Sequence, residues 1–164
     1  MKTLIQKLPR TKDTSFIAKT YETPYFETPY HQHDEYELMV IKKGFGTVFI
    51  GDYIGKYQVG DVYLHGKNLA HWFRKNDENM VGASVVVQFN DDFLGKDFFE
   101  VPEMKAIKHI LDKSSRSICC KGNLRESIGK HLLQIEYLDG FEKVISLLNI
   151  LYEISKSEEY EFVS

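Results

Sequence analysis

The residues best suited to chemistry lie in one short stretch, His31-Gln32-His33-Asp34-Glu35-Tyr36-Glu37. In an extended chain, residues two apart face the same side, so His31 and His33 point together. Glu37 joins them if the strand resumes in phase after a short break. Two imidazoles and a carboxylate on one inner wall suit a divalent transition metal. His71 lies two hairpins downstream, where an adjacent strand would deliver a fourth donor. A plainer arrangement uses the same residues, with His33 and Glu37 as a buried, mutually satisfied polar pair. The other histidines read differently. His65 precedes Gly66 and has the wrong parity relative to Leu64, so it reads as a turn residue. His109 and His131 fall in helical zones and are expected in solvent.

The elements that must hold these residues are short strands. Residues 14 to about 90 are rich in Tyr, Phe, Val and Thr, with Gly or Asp at short intervals, a pattern of many antiparallel strands in a sandwich or barrel. Turn signals at Lys43-Gly44-Phe45-Gly46, Gly51-Asp52, Gly55-Lys56 and Val59-Gly60-Asp61 bound strands over 36–42, 47–50, 52–54 and 61–64. The 81–89 stretch, with Val85-Val86-Val87, reads as a fully buried strand. Aromatic side chains cluster near the proposed pocket: Tyr25, Phe26, Phe49, Tyr63, Trp72 and Phe73. Only alternate members of a strand can face inward, and Trp72, beside His71, is the preferred stacking surface for a ligand.

After Asn90-Asp91-Asp92 the period changes from 2 to 3.6. Helices are expected with Met104, Ile107 and Leu111 on one face, over 124–138, and over 141–155. The last is apolar around most of its circumference and must be covered on two sides. One side packs on its own domain. The other implies a partner helix, most simply from a second copy, through Phe141, Val144, Ile145, Leu148, Leu151 and Tyr152. A helix sunk entirely in its own monomer is the competing reading. Residues 157–164 are polar and read as a linker or tail.

Composition sets outer limits. The chain has 164 residues, 43% hydrophobic and 27% charged, enough for one globular domain. A net charge of −3 lacks the basic surplus that phosphate contacts require, which argues against nucleic acid as a direct partner of these residues and leaves room only for a local basic patch. No apolar run approaches the ~20 residues of a membrane helix, and the start lacks the apolar stretch of a secretory signal. The two cysteines, Cys119 and Cys120, are adjacent and read as reduced thiols of a cytoplasmic protein.

Taken together, His31, His33, Glu37 and Gly44 are spaced as in the first cupin motif, and Gly60 and His71 as in the second. Tyr25 stands where that pattern expects Gly, Gly66 where it expects Pro, Asn68 where it expects Gly, and Lys75 where it expects Asn. The chain more closely resembles the sensor domain of AraC-type transcription regulators. That likeness rests on 33–38, on Gly44-x-Gly46, on Gly60-Asp61-x-x-Leu64, on Asn68-x-x-His71, and on 87–95 followed by a helical pair, in order across residues 15 to 155.

The resemblance implies a mainly β fold, a cupin-like barrel (double-stranded β-helix or jelly roll) followed by a C-terminal helical hairpin. Residues 1–98 would form the sensor barrel and 99–156 a helical dimerisation segment. His31, His33, Glu37, His71, Trp72 and Tyr25 would bind a small-molecule effector such as a sugar. The protein would be a homodimer and not an enzyme, would require no cofactor, and would touch DNA only through a helix-turn-helix domain outside these residues. The cupin likeness also carries a second reading: a metal-dependent dioxygenase or isomerase with zinc, iron, manganese or nickel held by His31, His33, Glu37 and His71. The altered Gly/Pro frame of the second motif and the helical tail weigh against it.

Overall fold

Strict alternation along the longest strand builds this domain. In β4 (Tyr36–Lys43), Leu38 and Val40 face one side while Glu37, Met39 and Ile41 face the other, and all five are buried. Such a strand belongs to a sheet covered on both faces. A computed structural model describes residues 2–8 and 13–164. Residue 1 and residues 9–12, within the stretch assigned to the sensor barrel, lie outside the described residues.

The body is mainly sheet, in two layers. The remaining strands are β1 (Leu4–Ile5), β2 (Ile17–Glu22), β3 (His31–Gln32), β5 (Gly46–Ile50), β6 (Tyr53–Tyr57), β7 (Val62–His65), β8 (His71–Lys75), β9 (Ala83–Phe89), β10 (Ile118–Cys120) and β11 (Tyr160–Phe162). One sheet runs β1-β3-β8-β5-β6 and the other β11-β10-β7-β4-β9-β2. Among the described residues no strand pairing closes the two sheets into one barrel. The chain crosses from one sheet to the other at turns. At the β4–β5 turn Gly44 takes a φ of 90°, which an L side chain resists.

Three helices, α1 (Lys105–Lys113), α2 (Gly122–Ile135) and α3 (Gly140–Lys156), cover the outer face of the six-stranded sheet. Asp139 caps α3 by accepting from the Glu142 N–H at 2.9 Å. Val62, Leu64, Val85 and Val87 meet Ile128, Leu132, Leu147 and Ile150 in this outer core. Between the sheets, Met39, Val48, Tyr63, Phe73 and Val86 form a second core. Each fully buried aliphatic side chain contributes about 1.5–3 kcal/mol. Val85-Val86-Val87 therefore serves both cores at once.

Two expectations need correction. Residues 160–162, read as tail, pair with β10, which itself joins β7. A three-residue strand gives too short an alternation to be read from sequence. Leu151, read as part of a dimer face, is fully buried in the outer core of its own chain. Of the other residues on that face, Phe141 (69%), Ile145 (42%) and Tyr152 (50%) are exposed, and Val144 and Leu148 are half-buried. No described helix is long and apolar enough to cross a membrane.

Candidate functional site

Glu37 is the hub. It faces the space between the sheets, in phase with Met39 and Ile41, and its cross-strand neighbours are His65 of β7 and Gln88 of β9. From the facing sheet, His31 of β3 and His71 of β8 form a directly opposed pair. His33 follows β3 and is held there because its carbonyl accepts from the Asn68 N–H at 2.8 Å. All six side chains are buried.

The carboxylate of Glu37 organises them. Oε1 accepts from His33 Nε2 at 3.1 Å and from Gln88 Nε2 at 2.9 Å. Oε2 lies 3.2 Å from His71 Nε2 and 4.0 Å from His65 Nε2. Neither of these last two ring nitrogens makes a well-directed hydrogen bond, although both are fully enclosed. The His65 and His71 rings stack at 4.5 Å, and His31 meets His71 edge-on at 4.3 Å.

Every imidazole is anchored from behind. Nδ1 of His31 donates to the Pro29 carbonyl (3.2 Å), that of His33 to the Glu35 carbonyl (3.1 Å), and that of His71 to the Leu69 carbonyl (2.8 Å). A carbonyl only accepts, so each of these three rings carries a proton on Nδ1 and turns Nε2 inward, and His33, which also donates from Nε2 to Glu37, carries a second. His65 Nδ1 is 2.9 Å from the Ser117 hydroxyl, on the loop before β10. The three carbonyl anchors fix a proton on Nδ1 and the ring orientation; the Ser117 hydroxyl, which can donate or accept, fixes only the orientation of His65.

Electrostatics separate the rings. Burial alone would raise the Glu37 carboxyl, but the nearby His71 ring and the hydrogen bond from His33 outweigh it. The acid is held well below its ordinary range. Burial works to depress His33 as well, yet its bond to the ionised Glu37 wins and raises it. His31 is lowered to about 4, first by burial and then by the charge of His71. His65 is lowered far below its ordinary value by burial and by His71. At neutral pH the cluster therefore contains an ionised Glu37 paired with His33, beside neutral His31 and His65.

This donor set fits a first-row divalent metal. One ring nitrogen from each of His31, His33 and His71 lies within 4.8 Å of the others, and so, as a separate triad, do donors of Glu37, His65 and His71. Donors about 2.1 Å from a common ion are at most ~4.2 Å apart, so within either triad a small contraction would suffice. The orphaned nitrogens of His65 and His71 are what a cation would satisfy.

Beside the cluster a cavity of about 200 Å³ opens between the sheets, bounded by His31, Glu37, His71, Tyr21, Phe73, Ser84 and Gln88 among others. Tyr25 stands at its edge, 77% exposed. Trp72 is a correction. It alternates with His71 and Phe73, so it points to the outer face of its sheet, stacked on Phe49 at 5.1 Å under the Arg74 guanidinium. His65 is a second correction. It does face opposite to Leu64, but Leu64 faces the helices, so the opposite side is the inter-sheet space. A sheet buried on both faces removes the usual equation of apolar with inward. Gln88 and Ser117 gave no signal in the sequence. His109 and His131 are exposed as expected.

Two departures from the cupin pattern have structural reasons. The Gly66 N–H donates to the Ser114 carbonyl at 2.8 Å, a bond proline cannot make. Asn68 adopts φ 58°, a conformation that asparagine tolerates better than most residues.

The fold thus defines a class: a two-sheet domain whose one sheet carries a helical layer and whose interior holds buried polar chemistry. No protein-family model matches the sequence, and no curated protein does. Among solved structures, wild-type ToxT from Vibrio cholerae, in a structure with bound unsaturated fatty acid, shares this fold with a TM-score of 0.52 at 16% identity, over 95% of this chain and 60% of ToxT. The AraC-like transcriptional activator CuxR (TM-score 0.49, 12% identity, 84% of this chain and 47% of CuxR) aligns more loosely. So does a cupin 2 conserved barrel domain protein from Rhodopseudomonas palustris (0.41, 17%, 50% and 57%). The chain spans about three fifths of the length of ToxT.

Proposed function

We propose that this chain is the ligand-sensing and dimerising domain of an AraC-type regulator, controlling a helix-turn-helix DNA-binding domain outside these residues. The observation that carries the reading is a cavity of mixed polar and apolar lining between the sheets, in a fold shared with ToxT over 95% of this chain. The effector is small and polar, with a sugar as the leading class. A cavity of about 200 Å³ falls below the ~300–1,000 Å³ of usual ligand sites. Its polar wall of Glu37, Ser84 and Gln88 matches hydroxyl groups rather than an acyl chain. Phe141, Ile145 and Tyr152 form the exposed face through which two copies pair.

The test is thermal unfolding of the purified domain against sugars, small carboxylates and fatty acids. Ligand bound only to the folded state stabilises it by ~2.7 kcal/mol at a hundred times Kd. Stabilisation by a small polar compound, lost in Ser84→Leu, is expected. Stabilisation by long-chain fatty acids alone would reject the polar effector, and a flat response to all three classes would reject the sensor reading.

The alternative of a metal-dependent cupin enzyme is favoured by one observation, the metal-competent donor set. It requires a coordination position left open for substrate.

A further inference from the structure

We propose that a second cavity, between the β4–β5 turn, the β6–β7 turn and the start of α2, binds a small organic phosphate. It measures about 820 Å³, within the ~300–1,000 Å³ of usual ligand sites. It shares no lining residue with the inter-sheet cavity, so the proposal does not depend on what fills that one. Lys56 of β6, Lys121 just before α2 and Arg125 in its first turn border the space, against one carboxylate, Asp61. Three cations and one anion leave a local charge of +2 in a chain whose net charge is −3.

No strong internal pair neutralises these cations. Among the described residues Lys56 takes part in no ion pair. Lys121 reaches the exposed Glu161 at 3.9 Å, and Arg125 reaches Asp61 at 4.0 Å; pairs this long at a surface contribute little. Asp61 is already committed to its own turn, where Oδ2 accepts from the Gln58 N–H at 2.9 Å. The start of α2 adds no anion site of its own, because Glu159 Oε2 accepts from the Asn123 N–H at 3.3 Å. A cleft lined by one sign of charge concentrates its field on a ligand of the other. A phosphate monoester carries about −1.5 to −2 at pH 7, which matches the local excess, whereas one carboxylate would leave about half of it. Arginine grips two phosphate oxygens at once and lysine acts as a point charge. Phe45 (51% exposed) and Val59 (58%) stand at the rim and offer apolar contact to the body that carries the phosphate. An ester therefore fits better than the free ion.

The test is an amide NMR titration of the wild-type protein with adenosine monophosphate, phenyl phosphate and glycerol 3-phosphate, each beside inorganic phosphate. Saturable shifts centred on residues 44–46, 58–61 and 121–125 are expected with at least one ester, at an affinity above that for inorganic phosphate. Lys56→Gln and Arg125→Gln change surface side chains and should leave the fold intact, as circular dichroism would confirm. Each removes one charged hydrogen bond to the ligand and should weaken ester binding about tenfold. Added salt should weaken binding in the wild type as well. Shifts that fall elsewhere, inorganic phosphate bound as tightly as every ester, or unchanged affinity in both variants overturn the proposal. So does the absence of saturable shifts with all three esters, and none of these results touches the organic-ligand screen of the inter-sheet cavity.

Discussion

At the scale of single residues, Glu37 decides the character of the cluster, because it is the one anion among four imidazoles. Its replacement by leucine strands His33 and Gln88, each of which donates to Oε1. Leaving buried partners unsatisfied costs about 1–3 kcal/mol. The pH dependence follows from the two shifts. Glu37 is depressed, so its stabilisation is present above the ordinary 4.5 and disappears as pH falls through its lower folded value. His33 is raised, so its share is complete below 6.5 and disappears as pH rises through its folded value. The cost of Glu37→Leu should therefore peak between about pH 4.5 and 6.5 and shrink on both sides. Urea unfolding in the presence of a chelator measures this. A cost that grows steadily toward alkaline pH would contradict the ion-pair assignment.

At the scale of elements, the two faces of α3 should respond in opposite ways. Leu151 is fully buried against the sheet, so Leu151→Ala should destabilise the fold by about 2–5 kcal/mol. Ile145 is 42% exposed. Ile145→Glu should leave unfolding within about 0.5 kcal/mol of wild type yet convert a dimer to a monomer in light scattering. Equal masses for both proteins would remove the helix-paired dimer. Elements of this length were legible beforehand: β4, β5, β7, β9 and the three helices appear within a few residues of where periodicity puts them. β2 and β8, six and five residues long, were not delimited; the shorter strands that escaped share one cause. β10 and β11 are three residues each, and β1 and β3 are two, too short for a period to register. Within the site, a spacing of two accounts only for His31 with His33; Glu37 stands on β4 of the opposite sheet and His71 on β8, and the cupin-like spacing is what pointed to them. His65, Gln88 and Ser117 meet them only through register across strands, which spacing does not encode. Trp72 failed for the converse reason, since sequence adjacency to His71 guarantees the opposite face.

At the scale of the whole molecule, the question is how a filled interior becomes a signal at the C-terminal end of the domain. His65 reaches the Ser117 hydroxyl, and the Ser117 carbonyl accepts from the Val163 N–H at 3.0 Å, just beyond β11. Ser117 is itself held at φ 52°, a conformation that costs roughly 1–3 kcal/mol in a non-glycine residue and persists only where its surroundings enforce it. A ligand or ion that draws His65 inward pulls on this residue, and β11 is the strand attached to it. Coupling of this kind needs an element with two arrangements that both ends can bias. The β10–β11 pair, three residues long and at the edge of its sheet, is suited to that role because few bonds hold it. Hydrogen exchange at the Val163 and Ser164 amides should slow when the interior is filled, by zinc or by the effector. In Ser117→Ala the interior would still fill, but exchange at these two amides should no longer respond. An equal response in both proteins would place the link elsewhere, most directly through the helices packed on β7.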